Sequence, residues 1–124
     1  MKKISILVFI FGVLISSSPS YAGVGYTDGN QMLFACNELS KLLRLHIELD
    51  SFEAGKCWGY ISASTDIHKA MRSGTSPIVC IPEDKEVSDY VTIVIKYLNE
   101  HPQDLDHKAF ELVTKAFAEV FPCP

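Results

Sequence analysis

The sequence lacks the local signatures of the common enzyme classes. It contains no Gly-x-Ser-x-Gly motif, no His-Glu-x-x-His motif and no glycine-rich phosphate-binding loop. An α/β-type hydrolase, a zinc protease and a nucleotide-binding enzyme therefore have no support in the sequence. We predict a protein that is not an enzyme and that binds no cofactor.

An excess of basic residues is also lacking. Eleven Lys and Arg residues stand against fifteen Asp and Glu residues, which gives a formal net charge of −4. Phosphate contacts need clustered basic side chains, so we do not expect nucleic acid as a partner. A chain of 124 residues is also too short for a TIM barrel or a two-domain dinucleotide enzyme, and we predict one domain.

A single long apolar run is present, and it lies at the N-terminus. Lys2 and Lys3 precede the mostly apolar residues 4–15, and small residues follow up to Ala22. The run is shorter than the ~20 residues that span a bilayer, so it predicts a signal peptide, residues 1–22, cleaved after Ala22. An uncleaved anchor is the alternative.

The predicted mature domain, residues 23–124, is more acidic than the whole chain. Loss of the two lysines leaves nine basic and fifteen acidic residues, a formal charge of −6. No later apolar run approaches membrane length, and the short signal is of a bacterial type. We therefore expect the domain in the periplasm, away from the membrane, with a surface that would attract a basic partner.

The four cysteines are Cys36, Cys57, Cys80 and Cys123. An even number in an exported protein predicts two disulfides. No two are spaced as in a zinc knuckle, and the histidines form no paired ligand motif with them, so no metal site is predicted. Two pairings stay open: Cys36–Cys123 with Cys57–Cys80, or Cys36–Cys57 with Cys80–Cys123.

Apolar residues at three- and four-residue spacing predict a first helix over residues 30–49, capped by Asp28 or Asn30. Its stripe comprises Leu33, Cys36, Leu39, Leu43 and Ile47. After a turn at residues 50–55, a second helix is predicted from Lys56 to Met71. Its stripe comprises Cys57, Ile61, Ser64, Ile67, His68 and Met71.

The second helix has a competing interpretation at its start. Residues 57–61 are rich in aromatic and β-branched side chains and could begin as extended chain. Gly59 costs a helix about 1 kcal/mol relative to alanine, which predicts close approach by a neighbouring backbone. A polar loop is predicted over residues 72–77.

Two more helices follow this loop. The third is predicted to begin at Pro82 and to be stopped by His101 and Pro102. Residues 91–95 favour a strand by composition, but the helical period sustained around them favours a helix. The last helix is expected to take its cap from Asp104 or Asp106. The inner positions of the two helices are Val87, Val91, Val94, Leu98, Ala109, Val113, Ala116 and Val120.

Four amphipathic helices with short connections predict an all-α fold, a small four-helix bundle with two disulfides. The histidines are interpreted as structural or solvated. His46 is expected to be partly buried near a helix end, and His101 and His107 to be solvated in a loop. Asp66 and His68 are two residues apart, so a helix would point them in different directions and they form no dyad.

Several short motifs, taken together, resemble the Rap/Tai immunity proteins of type VI secretion. The resemblance covers nearly the whole mature chain, and its most specific parts are the Cys-Ile-Pro entry and the Tyr-Leu-x-x-His-Pro to Phe-Pro-Cys block. The motifs are Asp28-Gly29-Asn30 before Cys36, Cys57-Trp58-Gly59-Tyr60-Ile61 with Asp66, Cys80-Ile81-Pro82, Tyr97-Leu98, His101-Pro102 and Phe121-Pro122-Cys123.

The resemblance implies a periplasmic, all-helical and usually dimeric inhibitor of peptidoglycan amidase effectors. These effectors are papain-like hydrolases, and the resemblance implies that a loop of the inhibitor blocks their substrate groove. On exposure and charge we expect the contacts in three loops. The candidate residues are Arg72, Ser73, Thr75, Ser76, Glu83, Asp84, Glu86, Gln103, Asp104 and Asp106.

Two other functions stay open at this point. A periplasmic acid-stress chaperone would expose apolar surface as its carboxylates become protonated near pH ~2–4, which dye binding would detect. A domain that tunes cell-wall enzymes of its own host differs from an immunity protein only in its partner. A homodimer is expected from the resemblance, with physical support from aromatic residues that a small bundle must bury or share, such as Trp58, Tyr60, Tyr90 and Tyr97.

Overall fold

A computed structural model describes residues 27–46, 51–74 and 78–124, and these residues form an all-α domain with two disulfides, as predicted. The predicted signal peptide lies outside the described residues. The four helices are α1 (Gly29–Leu45), α2 (Ser51–Met71), α3 (Val87–Glu100) and α4 (Ala109–Val120), with a 3-10 turn at Pro102–Asp104.

Helix α1 begins and ends on local backbone signals. The Asp28 carboxylate accepts a hydrogen bond from the Gln31 N–H at 2.9 Å, so Asp28 is the cap among the two predicted candidates. His46 adopts the left-handed conformation, with φ 53°, and its N–H donates to the Leu42 carbonyl at 3.0 Å. The helix therefore ends at Leu45, and residues 47–49 of the predicted helix, with Ile47 of its stripe, lie outside the described residues.

Helix α2 begins at Ser51, so the predicted turn over residues 50–55 is wrong from residue 51 onward. Ala54 is 3% exposed and Cys57 is fully buried. Burial of these side chains outweighs the helix-breaking tendency of Gly55, because packing decides where local propensity is weak. Residues 57–61 are helical throughout, which excludes the extended alternative.

Helix α2 contacts both α1 and α4 and so connects the two parts of the core. Near its start, Cys57 is bonded to Cys36 of α1. Near its end, the His68 ring contacts the rings of Phe110 and Phe117 in α4. With 21 residues, α2 is about 31 Å long at 1.5 Å per residue, which is long enough to serve both contacts. It therefore positions α1 relative to the pair formed by α3 and α4.

Helix α3 begins later than predicted because a turn precedes it. The Tyr90 hydroxyl donates to the Pro82 carbonyl at 3.0 Å, and the Asp89 carboxylate accepts the Glu86 N–H at 3.1 Å. These bonds hold residues 82–86 as a turn, and the helix begins at Val87. The prediction of a helix over a strand for residues 91–95 is confirmed.

The predicted caps of α4, Asp104 and Asp106, are wrong. The N-cap position belongs to Lys108. The Ala109 N–H at the start of the helix donates to the Thr27 carbonyl at 2.8 Å. A backbone group from the chain before α1 therefore satisfies this donor, which a local side chain would otherwise do.

The disulfides are Cys36–Cys57 and Cys80–Cys123, the second of the two pairings left open by the sequence. The α3–α4 hairpin brings the segment before α3 next to the segment after α4. There the Cys80 N–H donates to the Phe121 carbonyl at 2.8 Å. Cys36 does not compete for this end, because α1 lies against the first part of α2.

The buried faces of the helices differ in part from the predicted apolar stripes. The buried apolar residues of α1 are Met32, Ala35, Cys36 and Leu39. Four predicted stripe residues are exposed instead: Leu43 by 45%, Ile67 by 45%, Met71 by 60% and Val120 by 50%. The periodicity of apolar residues gives only the approximate direction of the buried face of a helix. Which residues at the edges of that face are buried depends on the helices that pack against it.

Two glycines behave differently from each other. A Cβ at Gly59 would meet no atom within 4 Å. The prediction that a neighbouring backbone of the same chain approaches Gly59 closely is therefore wrong. A Cβ at Gly29 would lie 2.8 Å from the Leu105 carbonyl oxygen. Gly29 therefore allows α1 to start directly against the turn that precedes α4.

Candidate functional site

The described residues bring together no group of three His, Cys, Asp or Glu side chains that could hold a metal ion. All four cysteine sulfurs are bonded in the two disulfides. Asp66 is exposed and His68 is buried, so the prediction that these two side chains point apart is confirmed.

His68 is part of the joint between α2 and α4. Its Nε2 lies 3.1 Å from the Thr114 hydroxyl oxygen. Its ring stacks on Phe110 with centroids 5.7 Å apart and meets Phe117 edge-on at 5.8 Å. Burial lowers the pKa of His68 below its usual value of 6.5, because the charged ring would lose hydration. The side chain therefore packs as a neutral group.

The remaining histidines occupy the surface to different degrees. His46 is exposed, so the expected partial burial is wrong, and His107 is exposed as expected. His101 is partly buried, because its ring stacks on Tyr97 at 4.0 Å and its Nδ1 lies 2.8 Å from the Tyr97 carbonyl oxygen. The expectation of a solvated ring is therefore wrong for His101, which helps to end α3.

Two of the three predicted contact loops lie at one end of the molecule, which we call the acidic end (residues 72–74 and 83–86). The Lys69 Nζ lies 3.4 Å from the Glu83 carboxylate and so joins the end of α2 to the turn before α3. Thr75 and Ser76 lie outside the described residues. The exposed candidates here are Arg72, Ser73, Glu83, Asp84 and Glu86.

The third predicted loop lies at the other end of α3. This helix has 14 residues, so the loop is about 21 Å from the acidic end. Gln103 is exposed and Asp104 is partly buried. The Asp106 carboxylate accepts a hydrogen bond from the Asn30 side chain at 3.1 Å, which ties this loop to the start of α1. The three loops therefore do not form one continuous surface.

Negative charge at the acidic end acts on the buried Tyr90 phenol. Burial raises the pKa of Tyr90, and the charges of Asp84, Glu83 and Asp89 raise it further. The carboxylates raise it because they disfavour a second negative charge nearby. The three exposed carboxylates of the acidic end outnumber its two exposed cations, Arg72 and Lys85, by one, so this end carries a small negative excess that suits a basic partner surface.

The exposed apolar side of α2 is not among the features predicted from the sequence. Phe52 is 75% exposed and Trp58 is 44% exposed, and both are on the same helix as the exposed Ile67 and Met71. A signal was available, because apolar residues of α2 recur on all sides of the helix and leave no polar side for water. This pattern indicates that some apolar side chains of α2 are not covered by the other helices, but it does not indicate which ones.

No helix among the described residues has both the length and the apolar character needed to cross a bilayer. One family model, described as Rap1a immunity proteins, matches residues 28–123 of the chain. The matched range includes all four helices and both disulfides. No curated protein and no solved structure matches the chain significantly.

Proposed function

Because the chain belongs to the Rap1a immunity protein family, we propose that it is a type VI secretion immunity protein that binds a peptidoglycan amidase effector and blocks it by shape. The family match over residues 28–123 carries this proposal, since it covers the whole described fold. The resemblance found in the sequence analysis points to the same family.

A steric mechanism agrees with the chemistry of the buried groups. The cysteine sulfurs are all engaged in disulfides, so none is available as a thiolate nucleophile. His68 is buried between aromatic rings and bonded to Thr114. The inhibitor therefore needs only to occupy the substrate groove of the amidase and to exclude water and substrate from it.

We place the inhibitor in the periplasm. Two disulfides persist in an oxidising compartment and are rare in the cytosol of mesophilic bacteria. Residues 1–22 carry the sequence pattern of a signal peptide. An amidase that acts on peptidoglycan would meet the inhibitor there.

The acidic end is our proposed contact surface for the amidase. It combines the exposed carboxylates of Glu83, Asp84 and Glu86 with the exposed cations of Arg72 and Lys85 and the hydroxyl of Ser73. The loop at residues 103–106 is about 21 Å away and is tied to α1, so we assign it a structural role.

Co-expression with the amidase encoded by the neighbouring gene tests the function. We expect cells that export the amidase to survive when they express residues 1–124, and to lyse when they express residues 23–124 without the leader. Lysis in both cases, with the inhibitor present in the periplasm, would contradict the proposal.

A charge-reversal pair tests the contact surface. The double variant E83K/D84K should weaken amidase binding by about tenfold or more, chiefly through a lower association rate and with reduced dependence on salt. The double variant E100K/E111K is the matched control, because it makes the same charge change at exposed glutamates away from the acidic end, at the end of α3 and in the first turn of α4. Equal effects of the two changes would exclude the acidic end.

We also propose that the immunity protein forms a homodimer. Tyr90 and Tyr97 are buried in the core of one chain, so they no longer support this proposal. Trp58 remains 44% exposed and can be shared between copies. Light scattering of residues 23–124 should give the mass of two chains.

A further inference from the structure

The outward side of α2 is an apolar surface on an otherwise charged domain. Asp66 is the single charged residue among the exposed positions of this helix, all of which the structure describes. The large exposed side chains are Phe52 by 75%, Trp58 by 44%, Ile67 by 45% and Met71 by 60%. An apolar face of this size on a soluble protein marks a contact with another molecule.

The centre of this side is made of small residues. Gly55, Gly59 and Ala63 follow one another at four-residue spacing and are exposed. A Cβ at either glycine would meet no atom within 4 Å, so packing within one chain does not require glycine there. A glycine in a helix interior costs stability, and here it would allow the backbone of another helix to approach.

We propose that α2 packs antiparallel against α2 of a second copy of this chain. This inference rests on the homodimer of the proposed function and identifies its interface. The register that places Gly59 level with Ala63 of the second copy also places Phe52 level with Ala70 of that copy. Ile67 is then level with Gly55 and Met71 with Ser51 of that copy, so three of the four large side chains are level with small exposed residues, as a self-complementary two-fold interface requires.

Charge selects the same register. Lys56 is level with Asp66 of the second copy when Gly59 is level with Ala63. Lys56 already contacts Glu53 at 2.8 Å, and the second copy would bring a further carboxylate to its ammonium group. A parallel pair would instead oppose Asp66 with Asp66, which costs energy. Opposite charges therefore favour the antiparallel pair.

The length of α2 suits a dimer interface. A stable interface buries ~800 Å² on each partner, which corresponds to a circular patch roughly 32 Å across. Helix α2, with 21 residues, is about 31 Å long. It can therefore span the length of such a patch, and exposed surface beside the helix, such as Phe110 of α4, would contribute to its width.

Gly59→Leu tests the interface in the oxidised protein, residues 23–124. We expect the dimer dissociation constant, measured by light scattering and analytical ultracentrifugation, to rise by about tenfold or more, with unchanged helix content. Lys115→Leu is the control, because it adds the same side chain at an exposed position of α4. It should leave the dimer unchanged.

A charge exchange tests the register independently of Gly59. Asp66→Lys should raise the dissociation constant by about tenfold, because the two-fold axis presents the repulsion with Lys56 twice. In an E53Q background, which removes the carboxylate that Lys56 contacts within its own helix, the exchange K56E/D66K should restore the dissociation constant to within about threefold of the E53Q value. Failure of the exchange to restore the dimer would overturn this register.

The outcomes separate this inference from the proposed function. A Gly59→Leu protein that remains dimeric would overturn the α2 interface and leave amidase inhibition untouched. Loss of amidase binding by a Gly59→Leu protein that is still dimeric would show that α2 contacts the amidase instead, which also overturns the inference. A monomeric variant that still protects cells would support the interface and show that dimerisation is not needed for immunity.

Discussion

At the scale of single residues, Gly29 and His68 carry contacts that join distant parts of the chain. A Cβ at Gly29 would lie 2.5 Å from the Leu112 Cδ1 atom and 2.9 Å from the Leu105 Cα atom. The side chain of Leu112 could move, but the backbone of Leu105 is held by its hydrogen bond from the Asn30 N–H at 3.1 Å. Only glycine fits there without displacing the turn before α4.

We predict that Gly29→Ala lowers the free energy of unfolding by about 2 kcal/mol or more, because the added methyl group meets backbone atoms. Urea unfolding of the oxidised domain would measure it. Gln31→Ala is the control, because Gln31 is exposed in the same first turn of α1 and its backbone N–H keeps the bond to Asp28. The control should change the unfolding free energy by about 0.5 kcal/mol or less. Similar losses in both variants would refute the close-approach explanation.

His68 predicts a pH dependence of stability. Its pKa is lower in the folded protein than the usual 6.5, so the unfolded chain binds more protons as the pH falls through that value. The stability that neutral His68 contributes is therefore present above pH 6.5 and is lost progressively below it. We expect His68→Gln to show a shallower fall in unfolding free energy between pH ~7 and ~5. Parallel pH profiles would contradict this assignment.

At the scale of elements, helix starts in this protein follow two different rules. Helices α1 and α3 begin at side-chain caps within their own segments, at Asp28 and at the pair of Glu86 and Asp89. Helix α4 begins where the Thr27 carbonyl accepts the Ala109 N–H. A side-chain cap can be recognised in the local sequence, because it needs a residue such as Asp, Asn, Ser or Thr at the start of the helix. A cap supplied by a distant backbone carbonyl cannot be recognised there, because every residue has one.

For the start of α3, we predict that Asp89→Ala lowers the unfolding free energy by about 1 kcal/mol, because the Glu86 N–H loses its acceptor and the helix loses a charge in its first turn. Glu111→Ala is the control, since Glu111 is the acidic residue in the first turn of α4. It should cost about 0.5 kcal/mol or less. Thermal unfolding of both variants measures the difference, and an equal cost would argue against the cap.

At the scale of the whole molecule, the two disulfides connect different parts of the fold. Cys36–Cys57 closes a separation of 21 residues between α1 and α2, and Cys80–Cys123 closes a separation of 43 residues around the α3–α4 hairpin. Loop-closure entropy gives about 3 and about 4 kcal/mol for these lengths. Each contribution is a substantial fraction of the roughly 5–15 kcal/mol by which a small domain is stable.

The two bonds should differ in their access to reductant. Cys36 and Cys57 are fully buried, whereas Cys80 and Cys123 are partly exposed. Since exchange requires a thiolate to reach the sulfur, we expect mild reduction of the folded protein to open Cys80–Cys123 first. Alkylation followed by peptide mass spectrometry would identify the reduced pair. Earlier or simultaneous labelling of Cys36 and Cys57 would refute this order.

The sequence by itself determined the all-α class, the cores of the four helices, the presence of two disulfides and the family. These properties depend on local periodicity, on caps such as Asp28 and on short motifs around the cysteines. Each of these signals involves residues that are close together in the sequence. The sustained period from Val87 to Leu98 is enough to favour a helix over a strand.

Only the tertiary structure decided the disulfide pairing, the start of α2, the cap of α4 and the division of the predicted contact loops between two ends. Each depends on which distant segments meet, as Cys57 meets Cys36 and Thr27 meets Ala109. The exposed side of α2 belongs to the same group, because its apolar residues are chemically like those of the core. Whether such a residue is buried depends on whether another element covers it, and periodicity along one helix carries no information about that.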